Sequence, residues 1–226
     1  MTAELPDEQS GPGAGLLVVV AVQAEAEAVR RGLGPGGGAT VLAAGVGPAA
    51  AAAGTAAALA RGRFRLVLSA GIAGGFAPAA PVGSLVVADA LVAADLGAET
   101  PDGFADVAEL GFGTVRHPVP PALVKTLAGA CGGAVGEVLT VSTVTGSAER
   151  AEALRGRHPR ALAEAMEGFG VAEAAVRSGL PVGELRAVSN AVGPRDRASW
   201  RIGEALAALE RAFAALPPLP RLLQEV

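Results

Sequence analysis

Residues Leu16–Val22 form an unbroken apolar run with valine at its centre. A strand that carries apolar side chains on both faces must be covered on both faces, as strands are in a parallel sheet packed between helices. The rest of the chain repeats that unit. A helix is expected over 24–33, ended by Gly34–Gly38, then a strand over 40–44. Pro48 is placed as the first residue of a helix over 49–60. A strand over 66–69 runs into a glycine-rich loop, Gly71–Gly75, and further strands are expected over 83–94, 137–142 and 182–189. Helices are expected over 121–131, 148–155, 162–178 (interrupted by Gly168 and Gly170) and 199–216, with Pro217–Pro220 stopping the last; 100–119 reads as irregular. Strands alternating with helices predict an α/β fold, a single-domain three-layer αβα sandwich around a central mixed, mostly parallel sheet. The acidic, then Gly- and Pro-rich residues 1–15 are expected to be a disordered tail, and 16–226 the single domain.

A chain of 226 residues suffices for one full-sized core and is short for two ordinary domains. It is 51% hydrophobic and 18% charged, yet no run approaches the ~20 apolar residues a bilayer span needs. Leu16–Val22 is too short, and Met1–Ser10 carries acids rather than a basic flank. No membrane association is expected. Cys131 is the only cysteine, which excludes an internal disulfide and fits a reducing, cytoplasmic setting. A net charge of −4 and an aromatic content of 3% leave neither a basic stripe nor a stacking surface for nucleic acid. His117 and His158 are far apart and each precedes a proline, so no metal site is expected. No cofactor is expected either. Gly45-Val46-Gly47 lacks the third glycine of a dinucleotide fingerprint, where Ala50 stands, and Ser69 and Ala70 occupy the place of its acidic residue.

Four places at strand ends could carry chemistry, because open α/β sheets present ligand-contacting groups there. Glu25 follows the first strand, where a carboxylate can orient or deprotonate a water; Glu25 and Glu27 read equally as acids favoured in a helix's first turn. The glycine segments Gly45–Gly47 and Gly71–Gly75 allow backbone N–H groups to approach an oxygen-rich ligand, although tight turns need the same residues. Glu167 in Met166-Glu167-Gly168 is an apolar-flanked acid beside a helix irregularity, a site group or a solvent-facing helical glutamate. Ser189 and Asn190 end an alternating apolar strand ahead of Gly193-Pro194. A carboxamide there offers an acceptor and two donors in one plane, or simply starts a turn.

In this order the four places resemble the nucleoside phosphorylase/nucleosidase superfamily. Ser69–Gly75 is similar to its central glycine loop, Val82–Asp89 to its next strand, Ala165-Met166-Glu167 to its ribose motif, and Arg186–Ser189 to the strand ending in its base-recognition residue. The resemblance spans roughly Val18 to Leu209. It implies a nucleoside phosphorylase-like fold and a small purine nucleoside as substrate. Glu25 would activate a water beneath C1′, Glu167 would bind the ribose hydroxyls, and Met166 would pack on the sugar. Gly71, Ile72, Ala73 and Gly74 would line the ligand, and Ser189 would support Asn190. It also implies a homo-oligomer. Adenine-specific members carry Asp where Asn190 stands. An amide that donates to O6 while accepting from a protonated N7 implies a 6-oxopurine, hypoxanthine, instead. The phosphorylases place an arginine just before the glycine loop; Ser69 and Ala70 stand here, which implies water as nucleophile. A carboxamide is no general acid, so the leaving base takes its proton from solvent or from Asp196. Ser142–Ser147 and Gly193–Arg197 match members acting on a nucleoside with a carboxylate-bearing 5′ extension, for which Arg195 and Arg197 are partners or else ordinary surface charges. An adenine nucleosidase, a purine nucleoside phosphorylase and a non-catalytic nucleoside-binding protein remain as rivals on the same fold.

Overall fold

The computed structural model describes residues 15–36 and 38–224; the expected tail at 1–14 lies outside the described residues, as do the last two positions of the domain. The expected alternation is observed from the first run onward: β1 (Leu16–Val20), α1 (Gln23–Leu33), β2 (Ala39–Ala43), α2 (Pro48–Leu59), β3 (Leu66–Gly75) and β4 (Leu85–Ala93). Every residue of β1 is buried, as a strand covered on both faces requires. Pro48 opens α2, where its missing N–H is no loss.

The central sheet is mixed and mostly parallel, with five parallel pairings and three antiparallel. After β4 come a short hairpin, β5 (Gly97–Thr100) and β6 (Gly103–Asp106), and an edge strand, β7 (Arg116–Pro118), within a region expected to be irregular. Three-residue and four-residue strands are too short for a period-2 pattern to register. There follow α3 (Pro121–Cys131), β8 (Ala134–Thr140), α4 (Ala148–Arg157), β9 (Ala161–Ala165), α5 (Gly168–Arg177) and β10 (Val182–Ala191). One turn of 3-10 helix at Arg197–Ser199 leads to α6 (Ile202–Ala215) and the short α7 (Leu219–Leu222), so Pro217–Pro220 bends the chain rather than ending its helical structure.

In two segments the fold departs from local expectation. Gly71–Gly75 is no loop: β3 continues through all of it, because β10 pairs along its length and β9 pairs with Gly74 and Gly75. Residues 162–165 are not helical but form β9, parallel to β8 and antiparallel to β3; the helix begins only at Gly168. Its alanines favour a helix locally, and the open lane between β8 and β3 overrides them.

β3 is the pivot. Its first half lies between β1 and β10, and its second half between β9 and β10. Since β10 also pairs with β4, and β4 with β8, the strands β3, β10, β4, β8 and β9 form a closed circuit that β1 and β2 extend. Two helical groups cover it, α1 with α6 and α3, and α2 with α5. A main apolar core joins all of these elements, and a smaller cluster around Phe76, Val92, Leu139 and Leu154 lies beside it.

Candidate active site

Glu25 stands in the first turn of α1 and is 3% exposed, while Glu27 is exposed, so burial separates the two acids that the sequence could not. One carboxylate oxygen of Glu25 turns back to accept from the N–H groups of Ala21 (2.9 Å) and Val22 (3.2 Å); the other accepts from Ile72 N–H on β3 (2.8 Å). The bond to Ile72 demands close approach of α1 to β3, and Gly71 permits it. A Cβ at Gly71, whose φ is +150°, would lie 2.5 Å from Glu25 Oε1. Burial lifts the Glu25 carboxyl above its usual range, partly offset by the Ile72 N–H and the nearby Arg186.

Glu167 lies not inside a helix but at the junction of β9 and α5, where it is the cap residue of α5. Its carboxylate accepts from Gly47 N–H (3.3 Å) and Met166 N–H (3.3 Å) and meets the guanidinium of Arg186 at 3.3 Å. The Gly45–Gly47 segment therefore spends one of its N–H groups on a side chain of the site. Met166 is half-buried beside it.

Arg186 joins these parts and was given no role from the sequence. It is fully buried on β10: Nε meets Glu184 at 2.8 Å, Nη1 meets Glu167 at 3.3 Å and also donates to Ile72 O (3.5 Å), and Nη2 donates to Ser69 Oγ (3.1 Å). Burial opposes its charge, but Glu184, Glu167 and Glu25 outweigh burial and hold it above its ordinary value. Glu184 is 0% exposed, lies against Gly168 at the start of α5, and has one oxygen without a partner. Burial raises its carboxyl, with Arg186 opposing. A signal for both residues was present: Glu184 and Arg186 are two apart on one face of an otherwise apolar strand, where unpaired charges would be costly.

Farther along β3, Ser189 and Asn190 sit at the end of β10, with Asn190 in register with Gly74. Ile72 and Gly74 are two residues apart on one strand, so Glu25 and Asn190 approach β3 at points separated by roughly 7 Å. Ser189 Oγ donates to Asn190 Oδ1 (2.9 Å), and Asn190 Nδ2 donates to Ala191 O (3.0 Å). This anchors the amide plane and leaves one N–H and one lone pair for a ligand. Asn190 is not merely a turn residue; it lines a pocket together with Gly74, Thr145, Glu164, Arg195 and Trp200. A side chain at Gly74 would fill that pocket, since its Cβ would stand 3.3 Å from Asn190 Nδ2. Ala73 is buried, and its carbonyl oxygen, 3.3 Å from Ser189 Oγ, shares the one hydroxyl hydrogen with the nearer Asn190 Oδ1.

Arg195 reaches the pocket and holds its guanidinium 5.5 Å from the Trp200 ring. Arg197 stands 5.9 Å from the same ring and does not line the pocket. Asp196 turns away: its carboxylate caps the 3-10 turn by accepting from Ala198 N–H (3.1 Å). Trp200 and Glu164 went unread in the sequence, although Trp200 is the chain's only tryptophan, and Thr145 was noted only within Ser142–Ser147, with no role of its own. Among the described residues no group of three His, Cys, Asp or Glu side chains could hold a metal ion, and no helix is long and apolar enough to cross a membrane.

The fold and this strand-end site define the class. Residues 18–218 match the Phosphorylase superfamily, and the chain belongs to it. It is 70% identical over 156 residues to the futalosine hydrolase of Streptomyces coelicolor and 51% identical over 161 residues to that of Acidothermus cellulolyticus, covering 69% of this chain in each case. The chain spans 66% of the length of each of these curated relatives. Among solved structures, the futalosine hydrolase of Helicobacter pylori superposes with a TM-score of 0.73 at 20% identity, covering 93% of this chain and 97% of that one, which shows the shared nucleoside phosphorylase-like fold.

Proposed function

We propose that the chain hydrolyses the N-glycosidic bond of futalosine, releasing hypoxanthine and dehypoxanthine futalosine, in the alternative menaquinone pathway. The observation that carries the reading is the charge balance of the buried cluster. One guanidinium, Arg186, is shared among three carboxylates, Glu25, Glu167 and Glu184. A phosphate dianion brought there would meet net negative charge, whereas a water would find acceptors on every side. Hydrolysis is favoured over phosphorolysis on that ground, and the futalosine hydrolases at 70% and 51% identity favour the substrate.

Glu25 takes the proton of a water that adds to C1′. Glu167 accepts from the ribose hydroxyls and stabilises the oxocarbenium-like transition state through contacts that strengthen as positive charge develops on the sugar. Met166 packs against the sugar, and Gly71–Gly74 form the floor. Asn190, held flat by Ser189, donates to O6 and accepts from a protonated N7. Arg195, with Arg197 beside Trp200, receives the carboxylate of the 5′ extension as a planar partner. Val22 and Val46 are exposed beside Glu25 and Gly47, which supports a homo-oligomer in which a second copy covers the sugar. A cytoplasmic setting accords with the single, unpaired Cys131.

Purified protein incubated with futalosine in phosphate-free buffer is expected to release hypoxanthine, followed by chromatography. Turnover that requires added phosphate would make it a phosphorylase. Release of adenine from methylthioadenosine without action on futalosine would make it an adenine nucleosidase, and binding without turnover would leave a nucleoside-binding protein.

A further inference from the structure

The departing purine needs a proton, Asn190 cannot give one, and Asp196 is committed to its helical turn. One carboxyl group lines the base pocket among the described residues: Glu164, on β9. Gly74 on β3 is in register with Glu164 on one side and with Asn190 on the other. Residues in register on neighbouring strands project to the same face. Glu164 and Asn190 thus stand on either side of Gly74, over which Val192 and the Asn190 amide pack closely, and both line the same pocket; their backbones are two strand spacings, roughly 10 Å, apart. A flat heterocycle fits between an amide on one side and a carboxyl on the other.

Resting on the nucleosidase reading above, we propose that Glu164 is the general acid of the reaction, donating its proton to a ring nitrogen of the leaving 6-oxopurine. As the C1′–N9 bond breaks, its electron pair passes into the purine ring, and the Glu164 proton is the one taken up at N7, where Asn190 Oδ1 accepts from it, so that the base leaves neutral. The water that bonds to C1′ gives its proton to Glu25. Neutral base and free sugar leave, and solvent returns a proton to Glu164 and removes one from Glu25.

The surroundings suit that role. Glu164 is 6% exposed, and it accepts from Thr145 N–H (2.8 Å) and Thr145 Oγ (2.5 Å), which aim the carboxyl while leaving it free lone pairs. Three other charged groups are nearby. Arg150 on α4 is shared with Asp95 of the β4–β5 turn (3.9 Å), and Arg195 holds its guanidinium over Trp200. Burial first of all keeps the Glu164 carboxyl above its usual range. Asp95 adds to this, and Thr145 and Arg150 oppose it. Burial thus shifts Glu164 in the direction a general acid needs.

The test is Glu164→Gln, whose amide can keep both contacts to Thr145 but cannot give up a proton as an acid. With futalosine as substrate, kcat is expected to fall about 100-fold or more, KM to stay within about threefold, and the alkaline limb of the kcat–pH profile to disappear. A Glu164→Gln kcat within about threefold of the parent, or a loss confined to KM, would overturn the proposal. Should Glu164→Gln fail to fold, the parent decides. Its kcat is expected to decline on the alkaline side, and a flat profile from about pH 6 to 9 would refute a carboxyl acid. A parent that releases no base from futalosine would instead sink the nucleosidase reading itself.

Discussion

Three side chains at the site make opposite demands on the same volume, and their substitutions separate the demands. Glu25→Gln keeps the size and one acceptor but loses the base. Futalosine turnover is expected to fall at least about 100-fold with unfolding unchanged, as checked by kinetics beside circular dichroism. The parent's activity should also be lost on the acid side at a pH above the ordinary carboxylate range, because burial raises Glu25 and its ionised form is the active one. Asn190→Asp replaces a donor facing O6 by a charged acceptor. The ratio of 6-oxopurine to 6-aminopurine turnover is expected to fall by about tenfold or more in competition assays, and an unchanged ratio would remove the base-reading role. Arg186→Met strands three buried carboxylates. It is expected to cost about 3–5 kcal/mol of stability near neutrality in urea unfolding. Linkage sets the sign with pH: without the guanidinium the carboxyls of Glu25 and Glu184, already raised by burial, rise further above their unfolded values. Stability is then lost as pH rises through them and recovered as pH falls, the reverse of ordinary acid denaturation.

At the scale of elements, the site depends on how closely α5 can approach the rest of the fold. A Cβ on Gly170 would stand 2.1 Å from the carbonyl oxygen of Pro48, at the start of α2. Backbone cannot yield as a flexible side chain does. Gly170→Ala is therefore expected to destabilise by about 1–3 kcal/mol in urea, with an unchanged m-value. It should also weaken catalysis, since the same displacement moves Glu167 away from Gly47 N–H. Gly168 and Gly170 read in the sequence as interruptions of one long helix. They are instead the first turn of α5, kept bare because Glu184 and Pro48 lie against them. Local propensity hid β9 in the same way. Its Ala-Leu-Ala-Glu-Ala run has no alternation of apolar and polar residues, and only pairing with β8 and β3 makes it a strand. Where apolar periodicity was strong, in β1, α1 and α3, the expected and observed elements coincide within two residues.

For the molecule as a whole, a main apolar core spanning the sheet and both helical groups, joined through β4, β8 and β9 to a smaller cluster around Phe76, Leu139 and Leu154, predicts one cooperative unfolding transition, followed alike by fluorescence of Trp200 and by far-ultraviolet circular dichroism. Hypoxanthine at about 100 times its Kd is expected to stabilise the fold by about 2.7 kcal/mol, and no shift would mean that the pocket beside Asn190 does not take the base. The alternation of most strands and helices, the mostly parallel character of the sheet, and the candidacy of Glu25, Glu167 and Asn190 were determined by the sequence, because hydrophobic pattern, glycine and proline are local signals and strand ends are where ligands meet an α/β sheet; the short strands β5–β7 and β9 were not. Closure of the circuit through β10, the selection of Glu25 over Glu27, the burial of Arg186 among three carboxylates, and the meeting of Glu164 with Asn190 across Gly74 were decided only by the tertiary structure. Burial and pairing bring together residues from separate strands and helices, some more than a hundred positions apart, as Gly47 is from Glu167, and local windows of the chain do not show which of them meet.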